Sequence, residues 1–199
     1  MLLVNVSTHV IMNKLVLLTI IIPAILTFGA CQSNTKQDDA NAEPDTTSNA
    51  KLSTAVEQAD SQFIFEAAGN NIARAELGKL AQQRGFNRRV KNLGTMMITG
   101  HSKINGQIKT LATIKKIPLP TVPDTGEQKN VATLSKKTGK DFDSAYINYM
   151  INAYEKNIML FETAAKKCQD PDIKSFAVKT LPVLQGHLDA INAIKESME

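Results

Sequence analysis

An all-α fold, a four-helix bundle with a long connection between its second and third helices, is what this 199-residue sequence predicts. Three observations carry the prediction. Apolar residues recur every three or four positions through four long stretches, and no stretch competes with the alternation of a strand. Two tight breaks pair those stretches into hairpins, while a proline-rich segment separates the pairs. The chain has no tryptophan and only 5% aromatic residues, which argues against an all-β core.

The first thirty residues stand apart from the bundle. Lys14 is the only charged residue before Cys31, and it precedes the uncharged run LVLLTIIIPAILTFGA. That run falls short of the roughly 20 apolar residues a spanning helix needs, so residues 1–30 are expected to be a secretory signal peptide. MNKLVLLT is itself a normal signal start, which puts the expected translation start at Met12 rather than Met1. FGAC resembles the lipobox of bacterial lipoproteins, with Gly29 and Ala30 at its small positions and Phe28 where leucine is usual. The resemblance implies cleavage before Cys31 and a thioether-linked diacylglyceryl group on its sulfur; an ordinary signal peptide with an incidental cysteine is the alternative. With Cys31 lipidated, Cys168 is a lone thiol, read as a buried spectator near a helix end.

Residues 31–52 are expected to be the lipidated cysteine and a disordered tether. QSNTKQDDANAEPDTTSNA, Gln32 to Ala50, is polar and without large apolar residues, so it cannot bury enough surface to order itself. The bundle is assigned to residues 53–199. Thr54 and Glu57 look like a capping box opening the first long helix, which Gly85 stops after Arg84. Asn87 is the expected N-cap of the second, which must end before IPLPTVP, where three prolines forbid continuation. A short helix is expected over Glu127 to Lys137, ended by Gly139. The third long helix runs from Asp141 to about Cys168. Asp170 and Pro171 then supply an N-cap and an N1 proline for the fourth. Two hairpins joined by a long crossover are the topology of ferritin-like folds.

At about 100° per residue, polar side chains can be scored against each apolar stripe. Glu66 and Asn70 fall within the stripe of the first helix, defined by Val56, Phe63, Ala67, Leu77 and Leu80. His101 falls within that of the second, with Val90, Leu93, Met97, Ile104, Ile108 and Leu111. On the third, Asn157 is central, Tyr154 sits at the edge, and Glu155 and Glu162 point away. His187 belongs to the stripe of the fourth, with Ile173, Phe176, Leu184, Leu188 and Ile191. Counted from the tight links, His101 and His187 lie at similar heights near mid-bundle, with Glu66 and Asn70 expected across from His101 and Tyr154 across from His187. Pro182 is expected to bend the fourth helix by freeing the carbonyl of Val178.

Two readings follow. Glu66, His101 and His187 could hold iron, manganese or zinc between the helices. Alternatively these groups, with Asn70, Tyr154 and Asn157, form a buried polar layer that satisfies itself and fixes helix register. A di-iron bundle carries Glu-x-x-His on two helices, but Ile98 and Leu184 stand three residues before these histidines. The structural layer is therefore the preferred reading, and no resident cofactor is expected.

FEAAGNNIARAELGKLAQQR, HSKINGQIKTLA, DFDSAYINYMINAYEKNIMLFETAA and DPDIKSFAVKTLPVLQGHL, in that order, resemble domain-of-unknown-function family 4142. That family carries an outer-membrane-protein label and is grouped with ferritin-like folds; the likeness covers about Ser61 to Ile194. It implies an exported bacterial bundle, with no established activity to carry over. Family members commonly have Asp-His at Gly100-His101, Asp-His at Ala153-Tyr154 and Glu-His at Gly186-His187. Glu66, Glu76, His101, Glu155 and His187 match, so the resemblance makes Gly100 a missing acid, or else a site of close helix approach.

The net charge is +4, unevenly spread: from Leu77 to Pro123 there are nine basic residues and no acidic one. Arg84, Arg88, Arg89 and Lys91 cluster around the first tight turn, as a solvated face or as a contact for anionic envelope components such as lipid headgroups. Export and the lack of an aromatic stacking platform exclude nucleic acid as a partner. No Ser-His-Asp constellation, phosphate loop or Cys-His pair at readable spacing points to an enzyme. The expectation is a non-enzymatic cell-envelope lipoprotein with a structural or interaction role. It would be held to the membrane through Cys31, in the outer membrane facing the periplasm, with protein partners unknown. A metal-binding ferritin-like bundle is the alternative.

Overall fold

The computed structural model describes residues 46–198. The expected signal peptide, the lipobox with Cys31 and the tether up to residue 45 lie outside the described residues. All regular structure among the described residues is helical: α1 Thr46–Arg84, α2 Arg88–Lys115, α3 Thr125–Ser135, α4 Gly139–Lys167 and α5 Pro171–Glu196. No helix among them is long and apolar enough to cross a membrane.

The ends follow local chemistry. The Asn87 side chain accepts from Arg89 N–H at 2.8 Å, and Asp170 caps α5 through Asp172 and Ile173 N–H, with Pro171 in the first turn. Lys116 ends α2 in the left-handed region at φ 56°, just before the prolines. Two expectations need correction. α1 begins at Thr46 rather than at a Thr54–Glu57 box, because TTSNAKLS holds neither glycine nor proline to stop the helix extending back toward Pro44. α3 begins at Thr125, where Asp124 accepts from Glu127 N–H at 2.9 Å, and Gly139 at φ 59° opens α4 rather than merely ending α3.

α1 and α2 form one antiparallel hairpin and α4 and α5 the other. Lys115, at the end of α2, pairs with Asp170 and Asp172 at the start of α5 (2.6 and 2.7 Å). Asp143, in the first turns of α4, sits instead against the α1–α2 turn. The segment 116–138 therefore runs the length of the bundle, and α2 and α4 are parallel, as the ferritin-like crossover requires.

Each turn is held by a buried carboxylate from the opposite hairpin. Asp143 accepts from Phe86 and Asn87 N–H at 2.9 and 2.6 Å; Asp60 accepts from Gln169 and Asp170 N–H at 3.0 and 2.8 Å. Backbone donors that a tight turn would otherwise leave unpaired thus meet an ionic acceptor, about 1.5–3 kcal/mol for each such bond.

Between these ends the apolar stripes close on one another. Phe63 meets Phe161 edge-on at 5.0 Å, and Phe176 packs on both. α1 and α2 approach closely where Gly78 faces Gly94: a methyl group on Gly94 would lie 2.5 Å from the carbonyl oxygen of Gly78. α5 continues across Pro182, and Val178, whose carbonyl that proline leaves without its helical donor, is exposed.

Candidate functional site: a buried histidine–tyrosine layer

At mid-bundle each of the four long helices contributes one polar side chain to a single layer: Asn71 from α1, His101 from α2, Tyr154 from α4 and His187 from α5. His101 is 1% exposed and Tyr154 fully buried, so their polar atoms must find partners inside the protein. His101 Nδ1 lies 2.7 Å from Asn71 Oδ1 and its Nε2 lies 2.5 Å from the Tyr154 hydroxyl. The same hydroxyl lies 3.1 Å from His187 Nδ1 and 3.0 Å from Met97 Sδ.

Counting donors orders the chain. Asn71 Nδ2 donates to the His101 carbonyl at 2.9 Å, which leaves Oδ1 as the acceptor facing His101 Nδ1. His101 Nδ1 therefore carries the proton, its Nε2 accepts from Tyr154 O–H, and the tyrosine oxygen accepts from His187 Nδ1–H. Every member is neutral in this arrangement. Burial, then the facing His187 and Arg74, lowers His101 to about 3. Burial also lowers His187 and raises Tyr154.

A pH dependence follows, with its sign. Between about 3 and 6.5 the unfolded chain protonates this imidazole and the folded chain does not. The contribution of His101 is present above 6.5 and is lost as pH falls, by about 1.4 kcal/mol per pH unit. Urea unfolding midpoints should therefore drop between neutral and mildly acidic pH, and less steeply in His101→Gln. Equal slopes in the two proteins would remove His101 as the cause.

A second polar cluster adjoins the layer. Arg74 is 2% exposed, and its two terminal nitrogens bond Glu127 of α3 at 3.0 and 3.2 Å. Tyr149 donates to the same carboxylate, and its ring lies 5.7 Å from the guanidinium carbon. Burial works against both charges, but mutual attraction prevails, holding Arg74 above and Glu127 below their usual ranges. Arg74 Nε and Tyr146 OH are buried without a hydrogen-bond partner among the described residues.

Of the residues singled out in the sequence, His101, Tyr154 and His187 meet as expected. Asn157 is buried and accepts from Asn70 at 3.2 Å, beside the layer rather than in it. Glu66 does not face His101: it is exposed and accepts from Gln62 at 2.7 Å. Asn71, not Asn70, meets the histidine. The buried positions of α1 include a row of Asp60, Ile64, Ala67, Asn71, Arg74, Gly78 and Ala81, spaced by alternating fours and threes, beside Phe63, Leu77 and Leu80 of the expected stripe, which are buried too. Four of those seven are polar or glycine, so hydropathy found the apolar residues of the buried face but not this row, and set Glu66 and Asn70 inward in place of Asn71 and Arg74. The alternating spacing itself was the signal that could have found Asn71 and Arg74. Glu127, on a short helix in the crossover, gave no such signal.

Gly100 has a steric reason. A methyl group there would lie 2.5 Å from His187 Cε1 and 2.9 Å from its Nε2, so the glycine is the space in which the imidazole sits. Gly186, by contrast, faces nothing within 4 Å. Arg84, Arg88, Arg89 and Lys91 are exposed around the α1–α2 turn, and none is in an ion pair among the described residues. Cys168 is buried, and burial beside Asp60 pushes its thiol up to about 12, which keeps it protonated and a poor nucleophile.

The residues do not suit iron, manganese or zinc well. The two converging imidazole nitrogens, His101 Nε2 and His187 Nδ1, both engage Tyr154. Glu66 is turned away and Glu127 is engaged by Arg74. No group of three His, Cys, Asp or Glu side chains able to hold an ion occurs among the described residues.

A family model described as "Domain of unknown function (DUF4142)" matches residues 44–194. Among solved structures, a crystal structure of a DUF305 fragment from Deinococcus radiodurans superposes with a TM-score of 0.61. It covers 68% of this chain and 94% of that one at 14% identity, a likeness of fold. No curated protein matches the chain.

Proposed function

Because the chain belongs to the DUF4142 family, whose domain has no assigned function, we propose from its own residues that it is a non-enzymatic cell-envelope lipoprotein. Its helical domain acts as a rigid interaction module. One observation carries the reading: apart from Arg74 Nε and Tyr146 OH, the inward polar groups spend their hydrogen bonds on one another or on the backbone. Both nitrogens of His101 are engaged, the Tyr154 hydroxyl bridges two imidazoles, and the single buried guanidinium is matched by Glu127. A catalytic constellation keeps a reactive group open toward a substrate; this layer bonds His101, Tyr154 and the Nδ1 side of His187 to one another and holds four helices in register. The lipobox-like FGAC and the uncharged run before it support export and anchoring at Cys31.

Metal analysis of protein purified without chelator tests the first half. No stoichiometric iron, manganese or zinc is expected, and His101→Ala and His187→Ala should leave the metal content unchanged. Stoichiometric metal that vanishes in both variants would overturn the reading in favour of a metal-binding bundle. Palmitate labelling in cells tests the anchor: the label should enter the wild-type chain and be absent from Cys31→Ser, and equal labelling of both would remove it.

A further inference from the structure

We propose that the α1–α2 end of the bundle is a docking tip for an anionic phospholipid surface. Phe86 enters the headgroup region while Arg84, Arg88, Arg89 and Lys91 face the phosphates.

Phe86 is 66% exposed at the apex of a turn only three residues long, where a small polar residue would serve the backbone as well. The turn is also held rigid. Asp143, 1% exposed, binds the N–H of Phe86 itself and of Asn87, and Asn87 in turn caps α2. A buried carboxylate from the other hairpin thus fixes the backbone in the conformation that presents the ring to water. Four exposed cations, Arg84, Arg88, Arg89 and Lys91, flank it within an eight-residue stretch. The end of the bundle extends the positive field: α4 begins here, with exposed Lys137 just before it and Lys140 in its first turn, and Asp141 and Glu196 are the opposing exposed acids among the described residues. An apolar ring ringed by cations is the composition of a side chain that enters the headgroup boundary while its neighbours hold lipid phosphates.

Charge and shape select this occupant. A soluble phosphate or phosphorylated glycan would be drawn by the same cations but would give Phe86 nothing to enter. A second copy of this tip would bring two sets of like charges together. Only a surface with phosphates outside and acyl chains beneath uses both features. The tip also points away from the chain's entry into the bundle, because Asp60 near the start of the core binds the α4–α5 turn at the opposite end. The inference rests on the envelope reading above only for where such a surface is met in the cell.

The test uses the chain from residue 31 onward with Cys31→Ser, which retains the whole core without a lipid. It is sedimented with vesicles of phosphatidylcholine, with or without phosphatidylglycerol, and titrated in parallel with soluble polyphosphate. Partitioning should favour the phosphatidylglycerol vesicles and fall as salt is raised. Arg88→Ala and Arg89→Ala should each weaken it by about fivefold, on polyphosphate as well as on vesicles. Phe86→Ala should weaken vesicle binding by roughly tenfold and leave polyphosphate binding unchanged. Three outcomes overturn the proposal: no preference for the anionic vesicles, equal vesicle binding by Phe86→Ala and the parent, or a dimer in light scattering that Phe86→Ala abolishes. Failure here leaves Cys31 labelling intact, whereas failure of the envelope reading appears in that labelling and not in the vesicle assay.

Discussion

Replacing Glu127 with alanine is expected to destabilise the bundle by about 3–5 kcal/mol. Arg74 is 2% exposed and donates both of its charged hydrogen bonds to that one carboxylate, so the variant leaves a guanidinium in the interior without a counter-charge. Tyr149 can still approach it, but a neutral hydroxyl at 3.4 Å does not replace an anion. The effect belongs to the broken pair rather than to the pair itself. A double variant, Arg74→Met with Glu127→Leu, should therefore recover most of the loss, since two apolar residues of similar size remove both desolvated charges. Protonation reaches the same end by another route. The folded carboxyl of Glu127 titrates below its unfolded value, so its contribution is complete above the ordinary glutamate range. It is lost as pH falls through the lower, folded value. Urea unfolding of the two single variants and the double checks the argument, and a loss under about 1 kcal/mol for Glu127→Ala would contradict it.

Gly94→Ala is expected to cost about 3 kcal/mol, at the upper end of overpacking penalties. The added methyl would meet the backbone oxygen of Gly78 at 2.5 Å and the backbone nitrogen of Gln82 at 3.0 Å. Neither is the end of a flexible side chain, so relief requires α1 and α2 to separate along their whole contact. Gly106→Ala is the internal control. It has nothing within 4 Å, so the helix preference for alanine over glycine should stabilise it by up to about 1 kcal/mol. Thermal midpoints moving in the same direction for both variants would mean that the close crossing is not what glycine at 94 provides.

Much of the fold was legible because its signals are local. The Asn87 and Asp170 caps, the proline-rich crossover and the apolar stripes of α2, α4 and α5 each arise within a turn or two of helix. Tyr154, His101 and His187 could be brought together by height and phase alone, since their helices carry strong apolar faces. On α1 the apolar members Phe63, Ala67, Leu77 and Leu80 were legible, but the inward polar residues were missed, because Asp60, Asn71 and Arg74 share the buried face with leucine and phenylalanine. A hydropathy stripe cannot point to a face built for polar partners on other helices. Glu127 and Asp143 were invisible for a related reason: a surface carboxylate and a buried one look alike until the backbone donors they serve are placed.

The reciprocal clamps at the two turns carry a further consequence. Asp60 precedes Phe86 by 26 residues, and Asp143 precedes Gln169 by 26. Asn71 and Tyr154, the two partners of His101, each lie eleven residues after those aspartates. Equivalent places in the two hairpins thus hold equivalent tasks. The bundle is a pseudo-dyad, in which each half closes the other as two subunits of a small dimer would. On that symmetry the layer at mid-bundle lies on the axis. His101 is the one residue there that touches both copies of a repeated position, asparagine in one half and tyrosine in the other.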